Sequence, residues 1–383
     1  FVAIGSPKPA APPTAGDHYM TLHLYFAMKF LRSFLVVGAI FFAVLLLIDV
    51  LEQVRRFSDA DVSFAGILGL AALNVPSGLY TILPLITIIA TLTLFLGLAR
   101  TSELVITRAA GRSALLSLLA PIVVAAGLGA LSVSVLNPLV AATSKQYEEN
   151  AARYTDGAAS VLSVSDEGLW LRQGDLRGQT VIHAQQSSAD GTRLVNAMFL
   201  AYSEDGLPLT RVNAVEAVLT NGAWQLRDAK TWQLSDPNPE RTAITAKMLT
   251  IPTDLTRDRI QDSFGTPSAV PIWALPRFIA DLETAGFSAL SYRIWYHMEL
   301  ALPLFLIAMV LIGAVFTMRH VRFGKTGQMV LYAIMMGFGA FFLRNLAQVL
   351  GENGQIPIIL AAWAPPIAAI CLAIAMLLHL EDG

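Results

Sequence analysis

The stretch Phe64–Ala99 reads FAGILGLAALNVPSGLYTILPLITIIATLTLFLGLA and contains no charged side chain. Such a run is typical of a segment buried in a lipid bilayer, where one helical span needs about 20 mostly apolar residues. The whole chain has the same character, because 55% of its 383 residues are hydrophobic and 14% are charged. In soluble domains about 25% of the residues are charged, so the composition predicts a membrane protein.

Six segments are long and apolar enough to predict membrane crossings. They are Ser33–Val50, Leu79–Ala99, Leu115–Leu136, Leu300–Met318, Gln328–Leu350 and Ile356–Leu378. The charge-free stretch is too long for one straight crossing, yet a break at Asn74–Gly78 would leave only half a span before it. We therefore interpret its first part as an outer or interfacial helix, followed by one crossing with a kink at Pro84. The fold class is a polytopic α-helical membrane protein with six transmembrane helices.

The short loops differ in their basic residues, which are enriched on the cytoplasmic side of membrane proteins. One side carries Lys29, Arg32, Arg100, Arg108, Arg112, Arg319, Arg322 and Lys325. The opposite loops carry Arg55 and Arg56 beside three acidic residues, and then only Glu352. We therefore expect both termini in the cytoplasm.

Residues 141–270, between the third and fourth spans, have the composition of a soluble domain. Short alternating runs are separated by turn signals such as Asn221-Gly222, a pattern typical of an antiparallel sheet or sandwich. The runs are Gly168–Gly174, Thr180–Gln185, Asn196–Ser203, Val215–Asn221, Trp224–Ser235 and Thr242–Ile251. An odd number of spans precedes this all-β domain, so we expect it outside the cytoplasm. Polar helical connectors, Ser144–Tyr154 and Pro276–Gly286, flank it.

The predicted layout has five parts. Residues 1–19, rich in proline and without an initiator Met, are expected to be a disordered extension or an expression remnant ahead of Met20. Residues 20–140 hold three transmembrane helices, 141–270 the β domain, 271–299 a helical connector, and 300–383 the last three transmembrane helices.

Several classes of chemistry are disfavoured by the sequence. A single cysteine, Cys371, and six scattered histidines provide neither a disulfide framework nor a zinc cluster. The run Gly324-Lys325-Thr326 ends like a phosphate-binding loop, but Arg319 stands where that motif needs a glycine. A formal charge of −2 gives no general attraction for nucleic acid. We expect no enzyme activity, no metal and no cofactor in this chain.

The loop Ala99–Arg112 reads ARTSELVITRAAGR and predicts a short helix on the basic side. Thr101 or Ser102 suits its N-cap, Glu103 its first turn, and Gly111 its end. The loop alone fits two interpretations. It is either an amphipathic connector at the membrane surface or a coupling helix that docks into another protein.

Several motifs together resemble the lipopolysaccharide-export permease family LptF/LptG, over residues 20–383. They are Val75-Pro76-Ser77, Leu83-Pro84, Ser102-Glu103-Leu104-Val105, Arg108-Ala109-Ala110-Gly111, Glu167-Gly168-Leu169-Trp170, Ile356-Pro357 and Trp363-Ala364-Pro365. The loop motif is fairly specific, and the last three motifs are more similar to the LptG branch. The order of three spans, β domain and three spans also matches.

The resemblance implies a permease subunit of an ATP-driven transporter in the inner membrane of Gram-negative bacteria. Its partners would be an LptF-like permease, two LptB-like ATPase subunits, an LptC-like membrane-anchored protein and an LptA-like periplasmic bridge. The complex would extract lipopolysaccharide and pass it to that bridge. ATP and Mg would bind at the partner ATPase, and the periplasmic β domain would be jellyroll-like.

The resemblance also implies roles for individual residues. Glu103, with Leu104, Val105 and Arg108, would lie in a coupling helix near residues 100–111 that contacts the ATPase. Arg55, Arg56 and Lys145 would contact lipopolysaccharide. Two positions depart from the family pattern, since Asp49 and Glu148 stand where relatives have basic residues, so the basic rim is thinner here.

Arg344 is a charge inside the fifth predicted span, where charged groups are costly unless paired or solvated. Three interpretations stay open: an interfacial anchor, a gate charge pair with Asp49, or a lipid-phosphate contact. The function as a whole also has two alternatives. One is a membrane-anchored periplasmic assembly protein without transport, and the other is a permease for another lipid.

Overall fold

The structure, a computed structural model, describes most of the chain. The described residues are 15–58, 62–103, 106, 114–152, 154, 161–165, 168–175, 178–188, 190–203, 207–220, 222–253, 255–256, 260, 266–318 and 326–381. The first helix begins at Ala15, inside the segment predicted to be a disordered extension. Residues 1–14 of that predicted segment lie outside the described residues.

Nine α-helices lie in the described part of the chain. They are α1 (Ala15–Arg56), α2 (Phe64–Thr81), α3 (Leu83–Arg100), α4 (Ala114–Leu131), α5 (Asn137–Ala152), α6 (Leu275–Thr284), α7 (Leu290–Thr317), α8 (Thr326–Glu352) and α9 (Ile358–Glu381). A π-helical segment, Ser132–Leu136, joins α4 to α5, and a 3₁₀ turn, Pro267–Ala269, precedes α6. Seven segments of the described helices are long and apolar enough to cross a membrane. The prediction of several apolar spans is confirmed, whereas the count of six is not.

The additional candidate span is α2, the first part of the charge-free stretch. The break in that stretch lies at Ile82 rather than at Asn74–Gly78, and Pro76 is accommodated inside α2. The ring of Pro84 interferes with helical geometry in the turn before it, while its missing N–H costs nothing in the first turn of α3. The sequence therefore located the responsible proline but misplaced the break.

Helix α7 is the centre of the bundle and packs against α3, α4, α8 and α9. Small residues permit this packing, since a Cβ added to Gly129 of α4 would lie 2.5 Å from the Cα of Pro303 in α7. Close approach through small residues is common between transmembrane helices, where dispersion contacts replace the hydrophobic effect. Helix α8, by contrast, keeps a wide apolar face exposed, including Phe338 and Phe342.

Seven strands of the described residues form one antiparallel sheet. They are β1 (Val161–Ser165), β2 (Gly168–Asp175), β3 (Gly178–Ser187), β4 (Arg193–Tyr202), β5 (Pro208–Thr220), β6 (Ala223–Gln233) and β7 (Ile244–Pro252). Each of the six predicted runs overlaps one of the strands β2 to β7, and the prediction missed β1 and the first half of β5. Alternating side chains of the sheet are buried, including Leu171, Ile182, Phe199 and Trp224.

The strand order β1 to β7 is sequential, so each strand pairs with its neighbours in the chain. This is a meander, whereas a jelly roll combines two Greek keys. The jellyroll-like part of the prediction is therefore corrected. The physical reason is the short turns: Thr220 pairs directly with Ala223, and Gly222 has a φ of +78°, so the chain returns at once beside the strand it has left.

The C-terminal end of α6 lies against strand β3 of the sheet. At the end of α6, Gly286 has a φ of +90°, and the N–H of Phe287 donates to the carbonyl of Leu282 at 2.9 Å, which is a Schellman C-cap. The N–H of Ser187 in β3 donates to the carbonyl of Ala285 at 2.7 Å. A Cβ at position 286 would lie 2.1 Å from the Ser187 carbonyl oxygen, so this junction requires glycine.

Candidate functional sites in the helical bundle

Glu103 lies directly after α3 and is bound by α1. The Lys29 ammonium donates to both carboxylate oxygens at 2.9 Å, and the Tyr25 hydroxyl donates to Oε2 at 2.9 Å. Thr101 donates to Oε1 at 2.8 Å. We call these four residues the Glu103 cluster. The Glu103 cluster connects the loop after α3 to the first turns of the apolar segment of α1.

The hydrogen bonds decide the ionisation of Glu103. Partial burial favours the protonated carboxyl, but the hydrogen bonds from Lys29, Thr101 and Tyr25 outweigh it and hold the pKa of Glu103 below its usual value. The carboxylate is therefore ionised at neutral pH. Its side chain keeps 29% of its surface exposed, so the cluster remains accessible to a partner.

The rest of the predicted coupling helix is described only in part. The N–H of Ile106 donates to the carbonyl of Ser102 at 3.1 Å, which closes one helical turn. Ser102 has a φ of 58°, so its backbone redirects the chain before that turn. Leu104, Val105 and Arg108, which were predicted to contact the ATPase, lie outside the described residues.

At the opposite end of α1, polar side chains connect α1 to α5. The Tyr147 hydroxyl accepts from the Gln53 amide at 2.9 Å and from Arg56 at 3.0 Å. Arg55, Arg56 and Lys145 are all exposed, and Lys145 precedes Tyr147 by two residues on α5. The structure thus brings the ends of α1 and α5 together, with Arg56 and Lys145 on adjacent helices.

Asp49 lies in α1 and is only 8% exposed. Its Oδ1 accepts a hydrogen bond of 2.7 Å from the Asn74 amide of α2, whereas its Oδ2 is buried without a hydrogen-bond partner among the described residues. Asp49 therefore contacts α2, and Arg344 is elsewhere on α8. No ion pair joins Asp49 and Arg344 within this chain, and a pair across the entrance to the cavity stays a prediction.

Arg344 is half-buried on α8, and its guanidinium lies over the ring of Phe305, 5.4 Å from the centroid. Glu299 of α7, which is 1% exposed, lies within electrostatic range of Arg344, but no ion pair joins these two side chains. Glu299 accepts a hydrogen bond from the Tyr80 hydroxyl, and the Asn137 side chain lies against both groups. We call Tyr80, Asn137, Glu299 and Arg344 the Glu299 cluster.

Sequence reasoning missed Glu299, Tyr80 and Asn137. The fourth predicted span began at Leu300, so Glu299 fell one residue outside it and was assigned to the helical connector 271–299. Helix α7 in fact begins at Leu290 and places Glu299 well inside the bundle. The apolar residues of Ile294–Met298 were the signal that could have extended the span.

The described part of the chain combines a bundle of apolar helices around α7 with a sheet inserted between two of its helices, which are the features of a multi-pass membrane protein with a β domain. The lipopolysaccharide export system permease family LptF/LptG matches residues 24–379, and the chain belongs to this family. It is therefore a lipopolysaccharide export permease subunit, a multi-pass inner-membrane protein and a transporter subunit rather than an enzyme.

Two similar proteins carry the name lipopolysaccharide export system permease protein LptG. They come from Escherichia coli strain K12 and from Escherichia coli O6:H1 strain CFT073. This chain is 23% identical to each over 340 residues, which are 87% of this chain and 91% of the relative. The similarity thus extends over both sets of helices and the sheet.

Proposed function

We propose that this chain is the LptG-like half of an ATP-driven transporter that takes lipopolysaccharide from the inner membrane and delivers it to a periplasmic bridge. The observation that carries the proposal is the family match over residues 24–379. The LptG assignment is supported by the two relatives named LptG and by the Trp363-Ala364-Pro365 motif. An LptF-like permease would complete the membrane part.

The proposed topology has six crossings, with both termini inside and the sheet outside. Helices α2 and α3 count as one crossing because only Ile82 separates them, and a reversal between two helices needs about 2–5 residues. The N–H of Ile82 donates to the carbonyl of Gly78 at 3.3 Å, which continues the helix through the break. The basic residues on the proposed inner side support the orientation.

Labelling with a membrane-impermeant maleimide tests this topology. Ala99→Cys and Asn353→Cys place the thiol at exposed positions at opposite ends of the bundle. We expect labelling of Asn353→Cys from the periplasm, and of Ala99→Cys only after the inner membrane is permeabilised. Labelling in the reverse order would overturn the orientation.

The proposed energy source is a pair of LptB-like ATPase subunits that bind ATP and Mg, while this chain binds no cofactor. The coupling segment around Glu103 would receive the motion of the ATPase. The Lys29 and Tyr25 bonds to Glu103 support a mechanical path into α1, because they link the loop directly to that helix. A basic residue of the ATPase could share the exposed carboxylate through a charge-assisted bond.

The proposed lipid contacts are Arg55, Arg56, Lys145 and Arg344. The first three are exposed, on the last turn of α1 and on α5, the helix that precedes the sheet in the chain, and lipid phosphates would leave the membrane there. Arg guanidinium groups suit phosphate oxygens because their donors form a planar fork. Strand β7 lies at an edge of the sheet with Ile244 and Met248 exposed, which supports docking of an LptC-like or LptA-like partner there.

The test is reconstitution of the chain with its homologous permease and ATPase in liposomes. We expect native mass spectrometry to find lipopolysaccharide retained by the complex, and ATP to release it to an added periplasmic acceptor. If the complex retains a different lipid, that lipid becomes the proposed substrate in place of lipopolysaccharide. ATPase turnover that does not depend on this chain would favour a membrane-anchored assembly protein instead.

A further inference from the structure

Two neighbouring arginines at the end of α1 differ in how they are held. Arg55 and Arg56 are both exposed, and both belong to the last turn of α1. The Arg56 guanidinium donates to the Tyr147 hydroxyl of α5 at 3.0 Å and lies 5.6 Å from the centroid of the Phe57 ring. Arg55 makes no hydrogen bond or ion pair with the residues that the structure describes. Arg56 is therefore fixed against the bundle, whereas no polar contact holds the Arg55 side chain.

The Tyr147 hydroxyl that holds Arg56 is itself held in place. Its oxygen accepts a hydrogen bond of 2.9 Å from the amide of Gln53, a side chain of α1 that is only 2% exposed. The Tyr147 ring packs against a small apolar cluster of Phe57, Leu70 and Ala151. The members of this cluster come from the end of α1, from α2 and from α5, so three elements together set the position of the hydroxyl.

A guanidinium held in this way remains available for an anion. Arginine presents five N–H donors in a planar fork, and the Tyr147 oxygen accepts from one of them. The other donors of this exposed side chain suit phosphate oxygen atoms, which arginine often binds through two parallel hydrogen bonds. A hydroxyl, unlike a carboxylate, brings no negative charge that would repel an arriving phosphate. Tyr147 thus orders Arg56 and leaves its positive charge uncompensated.

We propose that Tyr147 is a positioning residue for lipid export: its hydroxyl presents the Arg56 guanidinium, but not that of Arg55, in one fixed orientation to the phosphate groups of the lipid. This inference rests on the proposed function, in which Arg56 contacts lipid phosphate. A mobile arginine must be ordered when it binds a phosphate, and this entropic cost lowers the affinity. At Arg56 the fold has already ordered the side chain, so Arg56 contributes more phosphate affinity than Arg55.

The experiment measures binding of a bis-phosphorylated lipid A and of its dephosphorylated form to the reconstituted complex. Tyr147→Phe removes the hydroxyl and keeps the ring in its apolar cluster. We expect it to weaken binding of the phosphorylated lipid on the order of fivefold, the cost of ordering one long side chain, and to leave binding of the dephosphorylated lipid unchanged. Tyr332→Phe, at an exposed tyrosine of α8, is the matched control and should change neither. Equal losses for the two lipids would show a merely structural role and overturn the inference.

The two arginines separate a positioning role from a general loss of binding. If Tyr147 acts through Arg56, Tyr147→Phe has no further effect in the Arg56→Met background and keeps its effect in the Arg55→Met background. The same effect in both backgrounds, or no effect in the otherwise wild-type complex, overturns the inference. If Arg56→Met alone leaves binding of the phosphorylated lipid unchanged, the inference also fails and Arg56 is removed from the proposed lipid contacts. In that case ATP-driven release of lipopolysaccharide still tests the proposed function.

A second variant covers the case in which Tyr147→Phe does not assemble. Gln53→Met keeps the length of the side chain but removes the amide that donates to the Tyr147 hydroxyl. The hydroxyl then stays near Arg56 without a fixed orientation. We expect a smaller loss of phosphorylated-lipid binding than in Tyr147→Phe, and no such loss in the Arg56→Met background. Unchanged binding in Gln53→Met, or a loss that persists in that background, would contradict the proposed role of Tyr147.

Discussion

Two glutamates of this protein show what the membrane does to the same side chain. Glu103 lies outside the apolar spans, and its carboxylate accepts hydrogen bonds from Lys29, Tyr25 and Thr101. Glu299 lies inside the bundle and accepts a hydrogen bond from the Tyr80 hydroxyl. The comparison teaches that an ion pair near the surface contributes little stability, whereas a buried carboxylate depends on its hydrogen-bond donor and is costly to leave without one.

Removal of the buried carboxylate should have the largest effect. Glu299→Ala removes the acceptor of the buried Tyr80 hydroxyl, and a buried donor left without a partner costs about 1–3 kcal/mol. We expect a large drop in the thermal midpoint of the detergent-solubilised complex. Glu283→Ala, whose carboxylate is half exposed, should lie within about 0.5 kcal/mol of the wild type. Equal midpoints for the two variants would break the comparison.

Glu103→Ala should have a small effect on stability and a large one on coupling. The Lys29–Glu103 pair is partly exposed, so its loss should cost no more than about 1 kcal/mol. We expect weaker ATPase association or hydrolysis uncoupled from export. Lipid binding at Arg55, Arg56 and Lys145 should be nearly unchanged. Export and ATPase binding measured in one reconstituted complex decide the role, and normal values for both would refute it.

Reversal of the surface pair sharpens the comparison further. Lys29→Glu alone places two carboxylates together and should reduce ATP-driven export several-fold. Adding Glu103→Lys restores opposite charges and should recover part of the activity if the link between α1 and the loop transmits motion. If the double variant is no better than the worse single variant, the carboxylate itself must meet the ATPase. The same exchange at Glu299 and Arg344 should fail to restore function, because Tyr80 needs an acceptor at position 299.

The smallest expected effect is a pH dependence of the surface cluster. Because the folded protein holds the pKa of Glu103 below its usual value, the cluster contributes stability above the unfolded value, about 4.3. This contribution is lost as the pH falls through the folded pKa. The difference in thermal midpoint between wild type and Glu103→Gln should thus be constant around neutral pH and shrink below about pH 4. A difference that grows on acidification would contradict the bonding of Glu103.

The candidate sites were predictable only where a local motif marked them. Glu103 was found because it stands in a recognisable loop motif, yet its bonds to Lys29 and Tyr25 join residues 74 and 78 positions apart and had no local signal. Arg344 was found because it interrupts an apolar run. Asp49, the partner that the sequence suggested, lies instead against Asn74 of α2. Because α1 is apolar on all sides, its sequence does not show which face of the helix points toward which neighbour.

The sequence by itself determined that this protein lies in a membrane, that a β domain interrupts its helices, and which family it resembles. These follow from apolar runs, strand alternation and short motifs, all of which are local properties of the chain. The tertiary structure decided which polar groups meet, such as Tyr80 and Glu299 at a separation of 219 residues. The physical reason is that helix packing selects these contacts by shape through small residues such as Gly129, and the apolar composition of the helices is nearly the same on every face.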